Sequence, residues 1–295
     1  MSAPPPASQH QLFSPARVWA LASNTLLELI RLKVFYFLLL FGLLIIGSSA
    51  FVGKFTFQEQ FQVLKDVALG AMSIFTWLLA VLSTALLLPK DIEERTLYTI
   101  LAKPVPRFEY LLGKLLGVLT LLLIATSLMS FLFVGVLYFR EQSAIAGLGQ
   151  MPPDEQVAAI QAIRAATFTT SLVPGILFIY LKAALCASFT LLLSTFASTT
   201  IFTIMVSVVV YLIGHVQSLA RDYWLQDATA GPMTKIFLAL VSLVFPDLQL
   251  FNVVDDIAAG AAVPLAIAVK TGALGVLYTA VYFLVGYFLF QQKEL

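Results

Sequence analysis

The chain has 295 residues, of which 60% are hydrophobic and 11% are charged, and its formal net charge is +1. Soluble domains carry about 25% charged residues, so this composition excludes a soluble globular protein and predicts an all-α integral membrane protein. The small net charge argues against a nucleic-acid surface. The single cysteine, Cys186, excludes an intramolecular disulfide and a cysteine-based metal site.

Residues 1–33 are expected to form an N-terminal tail followed by an amphipathic helix. The first 15 residues have no basic cluster before an apolar core, so we expect no cleavable signal. After them, an apolar stripe at helical spacing contains Trp19, Ala22, Leu26 and Ile30. A polar stripe contains Arg17, Asn24, Glu28 and Arg31. This pattern predicts an interfacial elbow helix; the alternative is an upstream extension of the first spanning helix.

Six apolar segments are long enough to cross a membrane, which takes about 20 residues in a helix. They are residues 34–53, 67–88, 110–138, 172–196, 201–218 and 264–290. We expect them to form one six-helix domain over residues 34–295. A shorter apolar stretch at 236–245 is predicted to be re-entrant or interfacial. If that stretch instead crossed the membrane, the C-terminus would move to the other face.

The loop between the second and third spans is short and rich in basic residues. These residues are Lys90, Arg95, Lys103, Arg107 and Lys114. Short loops rich in Lys and Arg face the cytoplasm, and an even number of crossings places both termini on the same side. We therefore expect a multi-pass membrane protein with cytoplasmic termini; the family resemblance given below implies a bacterial-type plasma membrane. The loops at 140–171 and 214–263 are expected to be folded external caps, the first with a short helix after Pro152-Pro153.

The same basic loop contains the pattern of a short helix. Pro89 is expected to end the second span, and Asp91 to cap a helix whose first turn contains Glu93 and Glu94. An apolar side of this helix contains Leu97, Ile100 and Leu101. A helix of this kind over residues 91–102 is suited to a groove on a partner protein; resting on lipid is the alternative. After the loop, Gly113 and Gly117 are expected to let the third span pack closely.

Lys182 lies near the centre of the fourth span, where a charge is costly. We expect it to face a substrate path or the seam between two subunits; the alternative is a side chain that snorkels to the surface. His215, at the external end of the fifth span, is interpreted as an interfacial hydrogen-bonding residue; the alternative is a ligand. The predicted spans contain no pair of acidic or histidine residues at one depth, which argues against an intramembrane enzyme.

Three motifs of the basic loop carry a family resemblance. They are Glu93-Glu94-Arg95-Thr96-Leu97, Lys103-Pro104-Val105-Pro106-Arg107 and Leu112-Gly113-Lys114. Together they resemble ABC-2 type transporter permeases, most closely the subgroup of multi-copper-enzyme maturation and gliding-type permeases. The stretch from Pro246 to Asn252 also resembles that subgroup. The chain departs from the family pattern where Arg95 directly precedes Thr96, since the family frequently has a glycine before Thr-Leu.

The resemblance implies a permease subunit of an ATP-driven exporter. Such permeases have an elbow helix and six spanning helices, pair with an identical or related permease, and bind a dimer of cytoplasmic ATPases. The chain has no phosphate-binding Gly-x-x-x-x-Gly-Lys-Ser/Thr loop, so ATP and Mg²⁺ are expected on the partner, with no cofactor or metal in this chain. The implied coupling residues are Asp91, Glu93, Glu94, Arg95, Leu97, Ile100, Leu101 and Arg107. A non-transporting membrane scaffold that recruits an ATPase is the alternative.

Overall fold

The computed structural model describes residues 13–52, 60–93, 105–150, 152–197, 199–226, 233, 236, 245–252, 257 and 264–292. Within these residues the regular elements are all helices. The α-helices are α1 Pro15–Ile30, α2 Lys33–Val52, α3 Gln60–Glu93, α4 Arg107–Ala146, α5 Pro153–Thr167, α6 Leu172–Phe196, α7 Thr200–Gln226 and α8 Leu265–Gln292. Two short 3-10 helices are Gly147–Gln150 and Leu248–Phe251.

Six of the described helices are long and apolar enough to span a membrane: α2, α3, α4, α6, α7 and α8. Each coincides with one of the six spans expected from the sequence, so the predicted all-α membrane fold is confirmed. The predicted short stretch at 236–245 lies outside the described residues except for its two end positions.

The two longest of the described spanning helices are much longer than a bilayer requires. The helices α3 and α4 have 34 and 40 residues, which corresponds to about 51 and 60 Å at 1.5 Å per residue. The hydrocarbon core is only about 30 Å thick. Both helices therefore extend beyond it. We call the end of the bundle where α3 ends and α4 begins the connector end, after the connecting segment of residues 94–104 that joins them.

The prediction that Pro89 ends the second span is wrong, because Pro89 lies inside α3 and the helix continues to Glu93. A proline within a helix removes one backbone hydrogen bond and crowds the preceding turn. Here the last turn is held by side chains instead. Lys90 donates a hydrogen bond to Glu28 of α1, and Asp91 pairs with Lys114 of α4.

The apolar core runs the length of the bundle in consecutive layers. Leu69, Met72 and Phe133 are fully buried near the start of α3, and Leu79 and Leu121 are buried further along the helices. At the connector end, a layer of buried side chains comprises Leu88, Tyr110, Leu111, Leu115, Leu191, Phe283 and Phe290. The layered core brings the ends of α3, α4, α6 and α8 together.

The first helix packs directly on the backbone of α4, which confirms the expectation that Gly113 and Gly117 permit close packing. A Cβ atom on Gly113 would lie 2.5 Å from the Cβ of Leu21, and one on Gly117 would lie 2.9 Å from the carbonyl oxygen of Ala22. The residues of α1 that are buried are Val18, Ala22, Thr25 and Leu29. Of the predicted apolar stripe, Ala22 is buried, but Trp19 is 70% exposed.

At the opposite end, a helix does follow Pro152-Pro153, as the sequence indicates: α5 spans Pro153–Thr167. Lys65 at the start of α3 donates a hydrogen bond to the carbonyl oxygen of Ala166, with 2.6 Å between the two atoms. Arg164 lies 3.9 Å from Glu141 near the end of α4. These contacts attach α5 to both long helices.

Candidate functional site

A group of charged and polar side chains joins three helices at the connector end. We call it the charged cluster; its members are Glu28 of α1, Lys90 and Asp91 at the end of α3, and Tyr110 and Lys114 at the start of α4. The cluster lies where the connecting segment leaves α3 and where it returns to α4.

The members of the charged cluster form a continuous chain of contacts. Lys90 Nζ donates to Glu28 Oε1 at 2.7 Å. Lys114 Nζ lies 3.5 Å from Glu28 Oε2 and 2.7 Å from Asp91 Oδ2. The Tyr110 hydroxyl donates a hydrogen bond to the same oxygen of Asp91. Two carboxylates and two ammonium groups therefore alternate within the cluster.

Burial makes this pairing energetically important. The side chains of Lys114 and Asp91 are only 4% and 7% exposed. Removing one partner of a buried ion pair costs about 3–5 kcal/mol, since it leaves a charge without compensation. Because Asp91 precedes the connecting segment and Lys114 follows it, their contact fixes the two ends of that segment against each other.

Glu28 connects α1 to this arrangement. Burial by itself raises the pKa of the Glu28 carboxyl, but the hydrogen bond from Lys90 and the positive charge of Lys114 outweigh it, so that the pKa is lowered from its ordinary value of 4.5. The carboxyl is therefore ionised at neutral pH. As an anion it can hold both lysines, one on each long helix.

A second ion pair attaches the start of α1 to the start of α4. Arg17 donates two hydrogen bonds to Glu109, from Nε at 2.6 Å and from Nη2 at 2.8 Å. The backbone N–H of Ser14 donates to the same carboxylate at 2.9 Å. Glu109 is 1% exposed. Bidentate arginine–carboxylate pairs fix orientation as well as distance, so the two helix starts are held in one geometry.

Arg107, predicted as a coupling residue, joins the start of α4 to the end of α8. Its Nη1 donates to the carbonyl oxygens of Phe290 and Gln291 at 3.2 and 2.7 Å. These carbonyls belong to the last turn of α8, the negative end of the helix dipole, which favours a cation. The Tyr110 ring stacks on the Phe290 ring with centroids 6.0 Å apart. The last turn of α8 is thus held to α4.

The structure describes only some of the predicted coupling residues. Asp91 and Arg107 are described, and Glu93 is the last residue of α3. The prediction that Asp91 caps a new helix is wrong, because Asp91 lies within α3 and its carboxylate is used by Lys114 and Tyr110. The predicted coupling residues outside the described part of the chain are Glu94, Arg95, Leu97, Ile100 and Leu101.

Sequence reasoning missed most of the charged cluster. In the sequence pattern, Lys90 and Lys114 stand out as basic residues of the loop. Glu28 and Arg17 stand out as members of the polar side of an amphipathic helix. The available signal was that Glu28 and Glu109 lie close to apolar segments, because a carboxylate buried there needs a cation. The sequence does not predict which cation pairs with each carboxylate, because Lys90 and Glu28 are 62 positions apart in the chain.

Lys182 lies inside the bundle, between α6 and α7. It is 4% exposed, so it does not snorkel to the surface of the described structure. Its Nζ is 2.9 Å from Nε2 of His215, and it lies 5.4 Å from the centre of the Tyr211 ring. The prediction that His215 is a hydrogen-bonding residue is confirmed. Its pairing with Lys182 was not foreseen.

Metal-ligating side chains are scattered in this structure. Among the described residues, no three His, Cys, Asp or Glu side chains come together as a metal site would require. At the connector end, the described charged groups bind one another.

The six spanning helices define a multi-pass membrane protein. Residues 19–295 match the model of the family described as ABC-2 family transporter protein. The chain therefore belongs to the ABC-2 family of transporter proteins, as its loop motifs indicate. It is a permease subunit of an ABC transporter and not itself the ATPase, and permeases of this family generally work with a cytoplasmic ABC ATPase. No curated protein matches the chain.

Proposed function

We propose that the chain is the permease of an ATP-driven exporter, and that its connecting segment receives the movement of a separate cytoplasmic ATPase dimer. The observation that carries this proposal is the charged cluster, which binds the two ends of the segment to each other and to α1. The residues that contact the ATPase are those of the coupling helix expected over residues 91–102, the first three of which complete α3.

A loop can move helices only if its ends are firmly attached to them. The contacts of Asp91 with Lys114 and Tyr110 attach the two ends of the segment to one another. Glu28 adds α1 through Lys90 and Lys114, and Arg107 adds the last turn of α8. A force on the connecting segment therefore acts on four helices together and is not absorbed by one flexible turn.

The distribution of basic residues supports a cytoplasmic position for the connector end. Lys90, Arg107 and Lys114 lie at this end, and Arg31 and Lys33 flank the start of α2 beside it. Basic residues near the ends of spanning helices favour the cytoplasmic side. By this orientation, α1 lies in the cytoplasmic interface with the exposed Trp19 ring among the lipid headgroups.

The remaining parts of the proposal concern partners and location. The permease pairs with a second permease, identical or related, in a bacterial-type plasma membrane, with both termini in the cytoplasm. ATP and Mg²⁺ bind to the ATPase subunits, because the sequence has no phosphate-binding loop of its own. Lys182 lies on the path of the transported molecule by this proposal, since its ammonium group is buried at membrane depth.

The test of the coupling assignment is a charge reversal at the last residue of α3 and the first residue of the connecting segment. The variant Glu93→Lys with Glu94→Lys should insert into the membrane normally but lose co-purification of the ATPase, identified by mass spectrometry. Glu155→Lys, on the exposed surface of α5 at the opposite end, is the matched control and should retain the ATPase. Equal recovery of the ATPase with the double variant and the control would remove the assignment.

The alternative of a non-transporting scaffold predicts a different result in reconstituted vesicles. A scaffold would bind the ATPase without changing its turnover. A coupled permease should change ATPase turnover in proteoliposomes, and it should do so only while the charged cluster is intact. Turnover that is the same for the free ATPase, the wild-type complex and a Lys114→Met complex would favour the scaffold.

A further inference from the structure

The contact between Lys182 and His215 lies deep within the bundle. Lys182 is 10 residues after the start of α6 and 14 before its end, so it lies about 15 Å from one end of that helix and about 21 Å from the other. Its Nζ approaches Nε2 of His215 on α7 to 2.9 Å. The contact therefore joins the middle of α6, where Lys182 is buried, to the end of the span in α7, where His215 is half-buried.

The hydrogen bonds of His215 define its protonation state. Its Nδ1 lies 3.0 Å from the carbonyl oxygen of Tyr211. Since a carbonyl oxygen can only accept, Nδ1 carries the ring proton, and Nε2 presents a lone pair to Lys182. Lys182 has only N–H groups to offer, so it is the donor. With Lys182 charged, the observed contact requires a neutral His215.

A second proton on the His215 ring would reverse the interaction. It would place an N–H of His215 against an N–H of Lys182, with two positive charges at the present separation of 2.9 Å. Like charges at this distance repel strongly in a medium of low dielectric constant. The contact between α6 and α7 would then have to open.

Among the described residues, the titratable groups beside the pair are Cys186 on α6 and Tyr211 on α7, and Tyr282 and Tyr278 of α8 follow next to Cys186. Thiol and phenol groups ordinarily lose protons only above about pH 8, so they stay neutral during acidification. Asp247, before the second 3-10 helix, is close enough for its charge to act on His215. From α3, Trp77 stacks on Tyr211 with ring centroids 3.9 Å apart.

We propose that the Lys182–His215 pair is a proton-binding site, and that a proton bound at Nε2 of His215 breaks the contact and releases α7 from α6. The ligand is a proton delivered by hydronium: an N–H bond forms at Nε2 of His215 as an O–H bond of hydronium breaks, and a water molecule is left. Histidine is the side chain whose charge ordinarily changes between about pH 5 and 8. The site thereby makes the packing of two spanning helices dependent on acidity, independently of ATPase binding.

The first measurement reads His215 directly. The chain has 2 His, so the variant His10→Gln leaves His215 as the single histidine, and its ring can be labelled with ¹⁵N and observed by NMR in lipid nanodiscs. Near neutral pH we expect a neutral ring with the proton on Nδ1. On acidification, in protein that remains folded, we expect reversible conversion to the imidazolium.

The second measurement monitors the contact between α6 and α7 by the fluorescence of a neighbouring tryptophan, Trp77. The chain has 3 Trp, so Trp19→Phe with Trp224→Phe leaves Trp77 as the single reporter stacked on Tyr211. Its emission should change with the same midpoint as the His215 signal. Adding His215→Gln should abolish the change, whereas adding Asp247→Asn should leave a single transition in place.

Three results would overturn the proposal. One is a neutral ring with its proton on Nε2, or a ring that stays neutral down to the pH at which the protein unfolds. Another is protonation of His215 without any change at Trp77, which would mean that the helices do not separate. The last is a Trp77 transition that persists in the His215→Gln variant. Because the NMR measurement keeps both Lys182 and His215, it remains decisive even if the His215→Gln variant does not fold.

Discussion

Lys114 is the residue on which the charged cluster depends most. Its ammonium group contacts the carboxylates of both Asp91 and Glu28, and its side chain is 4% exposed. A single side chain thus neutralises two acids on different helices.

Replacing Lys114 with methionine should therefore destabilise the protein by about 3–5 kcal/mol, the usual cost of leaving one buried ion without its partner. Denaturant unfolding in detergent micelles measures this loss. The double variant Lys114→Met with Asp91→Asn removes both charges, and it should recover much of the lost stability, because neighbouring residues do not act additively. A double variant that is less stable than Lys114→Met alone would show that the pair is not what holds this site.

Glu28 gives the stability a defined dependence on pH. Its pKa is lowered in the folded protein relative to the ordinary 4.5, so the ionised carboxyl stabilises the fold above that value. This contribution is lost as the pH falls through the folded-state pKa. We expect Glu28→Gln to be less stable than wild type at pH 7, and the difference in unfolding free energy to shrink progressively below about pH 4.5.

The control for this pH dependence is Glu155→Gln, because Glu155 is exposed on α5. Its stability should follow that of the wild-type protein across the pH range. A Glu28→Gln difference that stays constant down to the acid unfolding transition would mean that the Glu28 charge does not contribute.

At the scale of elements, α1 belongs to the membrane domain and is not a loosely attached tail. Its inner face lies on the glycine surface of α4, and its two ends are fixed by the Arg17–Glu109 and Glu28–Lys90 ion pairs. The helix therefore follows any movement of the first two turns of α4. In the proposed mechanism this makes α1 a part of the moving unit.

Substituting Gly117 with alanine tests the packing of these two helices. The new Cβ would lie 2.9 Å from the Ala22 carbonyl oxygen and 2.7 Å from the Thr25 Cβ, so α1 would have to shift. Overpacking of this kind costs about 1–3 kcal/mol, measurable as a lower free energy of unfolding.

Gly135→Ala is the matched control, because Gly135 lies on the same helix with nothing within 4 Å of its added Cβ. This change should be neutral or stabilising, since alanine favours a helix over glycine by about 1 kcal/mol. Equal effects of the two substitutions would contradict the close approach of α1 and α4.

At the scale of the whole molecule, the sequence was sufficient to predict the spanning helices but not the contacts that join their ends. Six spans could be predicted because length and hydropathy alone decide whether a helix can cross a bilayer. The end of α3 could not be predicted from the sequence, because Pro89 lies within a helix whose last turn is held by residues of α1 and α4. Likewise, the Arg17–Glu109 pair joins residues 92 positions apart, and no local pattern indicates such a contact.

The charge distribution of the molecule connects this architecture to function. Ion pairs gather the ends of α1, α3, α4 and α8 at the connector end, and the opposite end carries α5. If the connector end faces the cytoplasm, an ATPase bound at the connecting segment acts on all four helices. If it faced outward, the same ion pairs would only stabilise the fold.

The measurement that tests this most directly is the side of the membrane to which the connecting segment is exposed. Cys186 is the only cysteine, so Cys186→Ser provides a background for Arg95→Cys, with Ala158→Cys on the exposed face of α5 as the opposite-side control. A membrane-impermeant maleimide should label position 158 in intact cells and position 95 only in inverted vesicles. Labelling of position 95 in intact cells would contradict the cytoplasmic coupling site.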